Sequence, residues 1–341
     1  MGKEVVTLSH GAGGVETEKL LQGLIFGKLP PELKKVEGGL GLDYPDDAAA
    51  IRLSDGGYLL VTTDSHTVKP MFFPGGDIGT LAVSGTINDV LMMGGRPLAM
   101  LDTLVVEEGT DMDTVNRVVE SMISLLKKER IPLIGGDFKV MPKGELDGIV
   151  VTTVALGYAK RLIVDKELKP GDKIIVTGTV GDHGAVILAL QHGINVGFKS
   201  DVKPLTDVML PLLEEYGDYI HAARDPTRGG IAMVLNDWAR DAGLTIEVYE
   251  EKIPVRKDVR ALLDMFGIEP WVLANEGMAV LGVEPSKAEE VLEFIKSKGY
   301  RDASIIGEAR KGEDAAVVLH TVVGGRRYME PPTGDIVPRI C

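Results

Sequence analysis

Along this chain, short β-rich runs alternate with amphipathic helical stretches, and the alternation starts afresh half-way. That pattern predicts an α+β or α/β fold in two lobes. In DTVNRVVESMISLLKKER, residues Val115, Val118, Val119, Met122, Leu125 and Leu126 recur at helical spacing and form one buried face. Pro132 ends the pattern, and LIGGD follows as a strand running into an acidic loop. YLLVTTDSH reads as an earlier strand ending in such a loop, and DGIVVTTVALGYA as a further β-rich segment. KELKPGDK reads as a surface connection, after which KIIVTGTVGDHGAVILALQHG begins again with strand, glycine turn and helix. Ile231, Val234, Leu235 and Trp238 share one helical face, as do Ala288, Val291, Leu292 and Ile295. At 341 residues and 44% hydrophobic content, the chain is long enough for two packed domains. The expected division is an N-terminal domain over 1–160, a C-terminal α/β domain over 161–329, and a tail over 330–341. The tail, EPPTGDIVPRIC, holds three prolines and a glycine, so it should be an extended, flexible arm.

Acidic loops are the main chemical signal. They carry Asp46 and Asp47 (YPDDAAA), Asp64 (TTDSH), Asn88 and Asp89 (TINDVLMMGG), Asp137 (LIGGDFKV), Asp182 (GTVGDHG) and Asp225 (ARDPTRGG). Aspartate beside glycine is ordinary turn chemistry in any one loop. Six such sites, several of them after β-rich runs, point to carboxylates that converge. Converging carboxylates repel unless a cation lies between them, and hard oxygen ligands suit Mg²⁺ bound together with substrate phosphates. Asp46, Asp47, Asp64, Asp89, Asp137 and Asp225 are therefore the expected metal ligands. Asp47, Asp64, Asn88, Asp89, Asp137, Asp182 and Asp225 are expected to line an ATP site.

Phosphates need donors, and SHGAGG offers the backbone of Gly11, Gly13 and Gly14. Lys139, two residues after Asp137, would neutralise phosphate charge. Neither a P-loop nor a strand-linked GxGxxG is present, so ATP would sit in another kind of cradle. The six histidines lack zinc-binding spacing. Glu276, in LANEGMAV between an apolar run and a glycine, is either a desolvated proton-transfer group or a solvated turn residue.

A net charge of −14 and few aromatics argue against binding nucleic acid or an anionic membrane surface. The start, MGKEVVTLSH, carries no apolar signal core, and no segment has the length and apolarity of a membrane span. A cytoplasmic protein is expected. Its one cysteine, Cys341, lies at the end of the tail. A single thiol excludes an internal disulfide and fits a reducing compartment. A thiol on a dozen-residue arm could travel about 40 Å, at roughly 3.3–3.6 Å per extended residue.

Taken in order from residue 9 to residue 341, SHGAGG, DDAA, TTD, SGTINDVLMMGGRP, IGGDFKV, GDHG, RDPTRGG, NEG and PRIC resemble the HypE family of hydrogenase maturation carbamoyl dehydratases. The acidic loops alone are similar to the wider superfamily of aminoimidazole ribonucleotide synthetase, selenophosphate synthetase and thiamine-monophosphate kinase. The final Pro-Arg-Ile-Cys singles out HypE. The resemblance implies a two-domain aminoimidazole ribonucleotide synthetase-like fold and a homodimer whose N-terminal strands join in a shared barrel. It implies Mg-ATP in a cleft lined by both domains. A carbamoyltransferase, HypF, would load Cys341, ATP would drive dehydration of the S-carboxamide to thiocyanate, and cyanide would pass to iron on a HypC–HypD scaffold. Glu276 and Lys139 become candidates for handling the protons. Two other readings stay open: a binding module whose tail is a docking epitope, and a small-molecule kinase in which Cys341 is incidental.

Overall fold

The computed structural model describes residues 5–312 and 314–341. The first half contains α1 (Val15–Leu21), β1 (Ala49–Arg52), β2 (Tyr58–His66), β3 (Phe72–Phe73), β4 (Gly76–Asp77) and α2 (Ile78–Met92). It continues with β5 (Arg96–Glu107), α3 (Met112–Glu129), β6 (Leu133–Met141) and β7 (Ile149–Ala159). The second half runs β8 (Lys173–Val176), α4 (Asp182–Gln191), α5 (Thr206–Tyr216), β9 (Ile220–Arg224), α6 (Gly230–Ala242), β10 (Thr245–Tyr249) and α7 (Lys257–Phe266). It closes with β11 (Val280–Val283), α8 (Ala288–Ser297), β12 (Ser304–Arg310), β13 (Val317–His320) and β14 (Arg326–Tyr328). Two large sheets result, ordered β1-β2-β7-β5-β6 and β14-β13-β10-β12-β8-β11-β9, with a small two-stranded one from β3 and β4. No helix among the described residues is long and apolar enough to cross a membrane.

The helical faces read from periodicity are the buried ones: Val115, Val118, Met122 and Leu126 on α3, and Ile231, Val234, Leu235 and Trp238 on α6. Helix α2 is different. It is buried on all sides, with Ile78, Leu81, Ile87, Val90 and Leu91 fully enclosed. It packs on the β2–β7 face and belongs to the same core as α5 and β9, so it is the shared hub of both halves. Each such side chain contributes about 1.5–3 kcal/mol on burial. Asp77 opens the helix by accepting from the Thr80 amide at 2.8 Å. Because α2 has no polar face, it shows no amphipathic period. Asn88 and Asp89, expected in a loop, lie inside this helix. Asp64 and Asp137, also expected in loops, lie within β2 and β6.

The last twelve residues carry no helix or strand, as their composition predicts, yet they do not lie outside the lobes. Val337 and Ile340 are buried. The Thr67 amide donates to the Cys341 carbonyl at 2.9 Å and the Lys69 amide to that of Arg339 at 3.0 Å. Gln191 Nε2 donates to Pro338 at 2.6 Å. The tail is thus pinned across both halves of the chain.

Candidate active site

Strand periodicity starts the site. On β2, Leu60, Thr62, Asp64 and His66 alternate onto the face that meets α2. On α2, Gly85 and Asp89 are four apart and so share the facing stripe. A Cβ at Gly85 would stand 3.3 Å from His66 Nε2 and 3.8 Å from Asp64 Oδ2, so the missing side chain makes room for both. His66 Nε2 lies 3.3 Å from Asp64 Oδ2. Thr62 Oγ1 donates to Asp89 Oδ2 at 2.7 Å. Asp47, from the loop before β1, and Asp225, just past β9, complete a group with Asp89. One oxygen from each lies within 4.8 Å of the others.

The group is short of positive charge. Burial, and then the neighbouring Asp225 and Asp64, hold Asp89 well above the usual carboxylate range. Burial, with Asp64 next, pushes Asp225 up to about 7. Burial likewise raises Asp47, against the opposing pull of Arg224. Asp47 Oδ2 and Asp225 Oδ2 are buried without a hydrogen-bond partner. Three hard oxygens, crowded and partly unsatisfied, are a donor set that fits a divalent cation.

A cavity of about 570 Å³ opens beside this group, lined among others by Gly13, Gly14, Asp47, Asp225, Thr227 and Arg228. Gly13 has φ +78°, and a Cβ there would fall 2.2 Å from Arg228 Cβ. Only glycine lets the turn lie against that arginine.

The tail brings the thiol to the same place. His183 Nε2 lies 2.8 Å from the Ile340 carbonyl oxygen, and its Nδ1 lies 2.8 Å from Ser200 Oγ. Cys341 is half-buried, within range of the charges of Arg228, Glu276, Asp64 and Asp225. Burial, reinforced by Glu276, Asp64 and Asp225 and opposed by Arg228, pushes its thiol up to about 12. Glu276 is 1% exposed, its Oε1 has no hydrogen-bond partner, and burial holds it well above the usual range. The desolvated reading of Glu276 is the one the structure supports.

Profiles described as AIR synthase related protein, N-terminal and C-terminal domains, match residues 45–159 and 169–320. A carbamoyl dehydratase HypE of Azotobacter vinelandii is 37% identical, over 98% of this chain and 97% of its own. The chain belongs to the HypE family. A solved HypE–HypF complex matches at TM-score 0.83 and 36% identity, covering 94% of this chain and 100% of that one. A HypE solved in complex with ATP matches at TM-score 0.81 and 35% identity, covering 99% and 100%. The HypE fold is therefore the frame in which the remaining residues are placed.

Several expected site residues stand elsewhere. Asp46 is not in the three-oxygen group: its carboxylate accepts from the Asp47 and Asp165 amides at 2.9 and 3.2 Å, and so ties the loop to the interdomain connection. Asn88 is fully buried, with Oδ1 taken by the Leu205 amide and Nδ2 by the Lys203 carbonyl. It clamps the two halves and offers nothing to a ligand. Asp182 opens α4, 2.6 Å from Thr179 Oγ1 and 3.9 Å from Arg256, away from the group. Gly11 is exposed, and a Cβ added there would meet nothing within 4 Å. Asp137 and Lys139 pair with each other at 2.9 Å on β6, the exposed edge of the first sheet, and do not reach the group within this chain. Asp64 faces Asp89 and Asp225 but is not one of the three close oxygens. Sequence reasoning missed Thr62 and Arg228. Thr62 was legible from the two-residue period that it shares with Asp64; Arg228 stood in RDPTRGG with no local sign of what it faces.

Proposed function

We propose that this protein is an ATP-dependent carbamoyl dehydratase of [NiFe]-hydrogenase maturation that acts on its own Cys341. One observation carries the reading: the tail delivers its thiol to Arg228, Glu276 and Asp64, beside the carboxylate group and the cavity. A docking epitope would need no such burial, and in a small-molecule kinase the thiol would not occupy the substrate's place. The docked tail runs toward Glu276 and Asp64, and not toward Asp137 on the outer strand of the same chain.

In this reading ATP occupies the cavity, with phosphates near Gly13 and Gly14. Asp47, Asp89 and Asp225 hold Mg²⁺, which when bound spreads the charge that develops on the phosphates. HypF carbamoylates the thiol, as the HypE–HypF complex of a relative suggests. The carboxamide oxygen is a poor leaving group until it carries the γ-phosphoryl group; ADP, phosphate and S-thiocyanate result. Glu276, with an unfilled bond and a displaced pKa, handles an N–H proton. Docking keeps the intermediate from water, and undocking of the arm lets HypF load it and a HypC–HypD iron scaffold unload it. A free thiol that must stay reduced fits the cytoplasm.

A homodimer is part of the proposal. Among the described residues strand β6 pairs only with β5, and it leaves Leu133, Ile134, Phe138 and Val140 exposed. A long apolar edge strand invites another chain unless it is covered. Pairing of two copies there would cover it and is the one arrangement that gives Asp137 and Lys139 a role at a site.

Mass spectrometry of the C-terminal peptide tests the function. With HypF and carbamoyl phosphate, Cys341 should gain a carboxamide; with ATP and Mg²⁺ added, that adduct should lose one water. A Cys341 that never loads, or an adduct unchanged by ATP, refutes it.

A further inference from the structure

The loop ARDPTRGG carries two arginines four residues apart, and both line the same cavity. Their situations are opposite. Arg224 is committed to structure. It lies 2.7 Å from Asp165, 3.3 Å from Asp47, 3.3 Å from Asp237 and 3.7 Å from Asp46. It is the only counter-charge that those four share at this range among the described residues, and it ties the connection after β7 to β9 and α6.

Arg228 has no such commitment. Among the described residues it makes no ion pair within 4 Å, and no side-chain hydrogen bond to its guanidinium is found. Its stem is nonetheless held, packed on Gly13 so closely that a Cβ there would meet Cβ, Cγ and Cδ of the arginine at 2.2, 3.1 and 2.9 Å. Arg228 is exposed to the cavity, near enough to Cys341, Asp64, Glu276 and Asp89 for their charges to act on it. A fixed stem and a free five-donor fork, in a cavity whose wall also carries Asp46, Asp47 and Asp225, make a pre-organised anion receptor. Forked donors suit the oxygens of a phosphoryl group.

We propose that Arg228 is a catalytic residue which grips the phosphoryl group as it passes from nucleotide to carboxamide, and grips it again as it leaves as phosphate. The proposal rests on the dehydratase reading above. In the first half the carboxamide oxygen forms a bond to the γ-phosphorus. The bond from that phosphorus to the β–γ bridging oxygen breaks, and ADP departs with the electron pair. In the second half the carbon–oxygen bond breaks with its pair going to phosphate, and the carbon–nitrogen triple bond closes. Of the two N–H protons, one passes to the Glu276 carboxylate and on to solvent, and the other leaves on the phosphate. Arg228 donates to the non-bridging oxygens through both halves, so one residue serves both transfer and departure. Arg224 cannot, since four carboxylates at 2.7–3.7 Å already surround its head.

Arg228→Met keeps the stem against Gly13 and removes the fork; Arg228→Lys keeps the charge. Each variant, and the wild type, is loaded with HypF and carbamoyl phosphate. Thermal melting, Mg-ATP binding by calorimetry and single-turnover nitrile formation at saturating ATP are then measured. The expected result is normal folding and loading, ATP affinity within a few-fold, and a nitrile rate lowered roughly 10³-fold in Arg228→Met. Lysine should recover only part of it, and added guanidinium should restore some rate to Arg228→Ala. A nitrile rate at saturating ATP equal to wild type, with or without weakened ATP binding, overturns the catalytic role. A wild type that loads but never forms nitrile refutes the dehydratase reading first, and the role of Arg228 with it.

Discussion

His183 Nε2 lies 2.8 Å from the carbonyl oxygen of Ile340, one residue before the thiol. A carbonyl only accepts, so Nε2 donates. Burial lowers the pKa of the ring, Ile340 and Asp201 pull the other way, and His66 adds to the lowering; the neutral form is thereby favoured, and in it Nδ1 accepts from Ser200 Oγ. A histidine depressed when the tail is docked binds fewer protons there than when the tail is free. Docking should be strongest above the free value of about 6.5 and weaken as pH falls below it. Hydrogen exchange at the Thr67 and Lys69 amides, which donate to the tail, reads this directly. His183→Ala leaves a carbonyl unpaired at a cost of about 1–3 kcal/mol, so their exchange should rise and lose its pH dependence below neutrality. Unchanged protection would mean that His183 does not hold the arm.

Arg339 supplies a second, weaker hold. It adopts φ +53°, donates from Nε to the Thr67 carbonyl at 2.9 Å, and pairs with Asp147, which also pairs with Lys69. Asp147 is 61% exposed, so the pair is screened by water and salt. Asp147→Asn should release the tail by about 1 kcal/mol at most. Alkylation of Cys341 should quicken no more than about five-fold, and less at high salt. A much larger change would show that the latch holds more than the geometry provides.

Asp89 in the cation-free protein is held toward its protonated form by burial and by Asp225 and Asp64. Asp89→Asn replaces a carboxyl whose charge is disfavoured there by a neutral amide whose oxygen can still accept from Thr62. Melting without Mg²⁺ should therefore change little or rise slightly, while the stabilisation produced by Mg²⁺ with ATP should vanish. Cys341 should still accept a carbamoyl group. Retained Mg²⁺-dependent stabilisation would remove Asp89 from the cation site.

Phe138 is 54% exposed on the edge strand β6. Phe138→Glu adds a charge to each copy at the proposed interface and should yield monomer in light scattering, with the melting temperature of the isolated chain little altered. An oligomeric state indifferent to this change would place the interface elsewhere and leave Asp137 and Lys139 without a site.

How much of this was legible in the sequence divides by range. The buried faces of α3, α6 and α8 follow from spacing within a few turns, because an amphipathic helix at a surface writes its orientation into its own residues. Glycine- and proline-rich composition likewise settled that the last residues would form neither helix nor strand. Helix α2 defeated the same reasoning: buried on every side, it carries no period, and its Asp89 looked like a loop residue.

The site was decided by tertiary structure. Asp89, Asp137, Asp182 and Asp225 look alike in sequence, each an aspartate in a short polar motif. Only the packing of β2, α2 and β9 put Asp89 and Asp225 beside Asp47, left Asp182 with Arg256, and sent Asp137 to an outer edge. Arg224 and Arg228 share one loop, yet one is surrounded by four carboxylates and the other lies within range of the thiol. Local chemistry dictates turns and periods, whereas convergence depends on which strand ends and helix faces the chain brings together over long separations. The tail shows the same division: its own residues specify only an extended arm, while His183, Gln191 and Thr67, far back in the chain, decide where that arm rests.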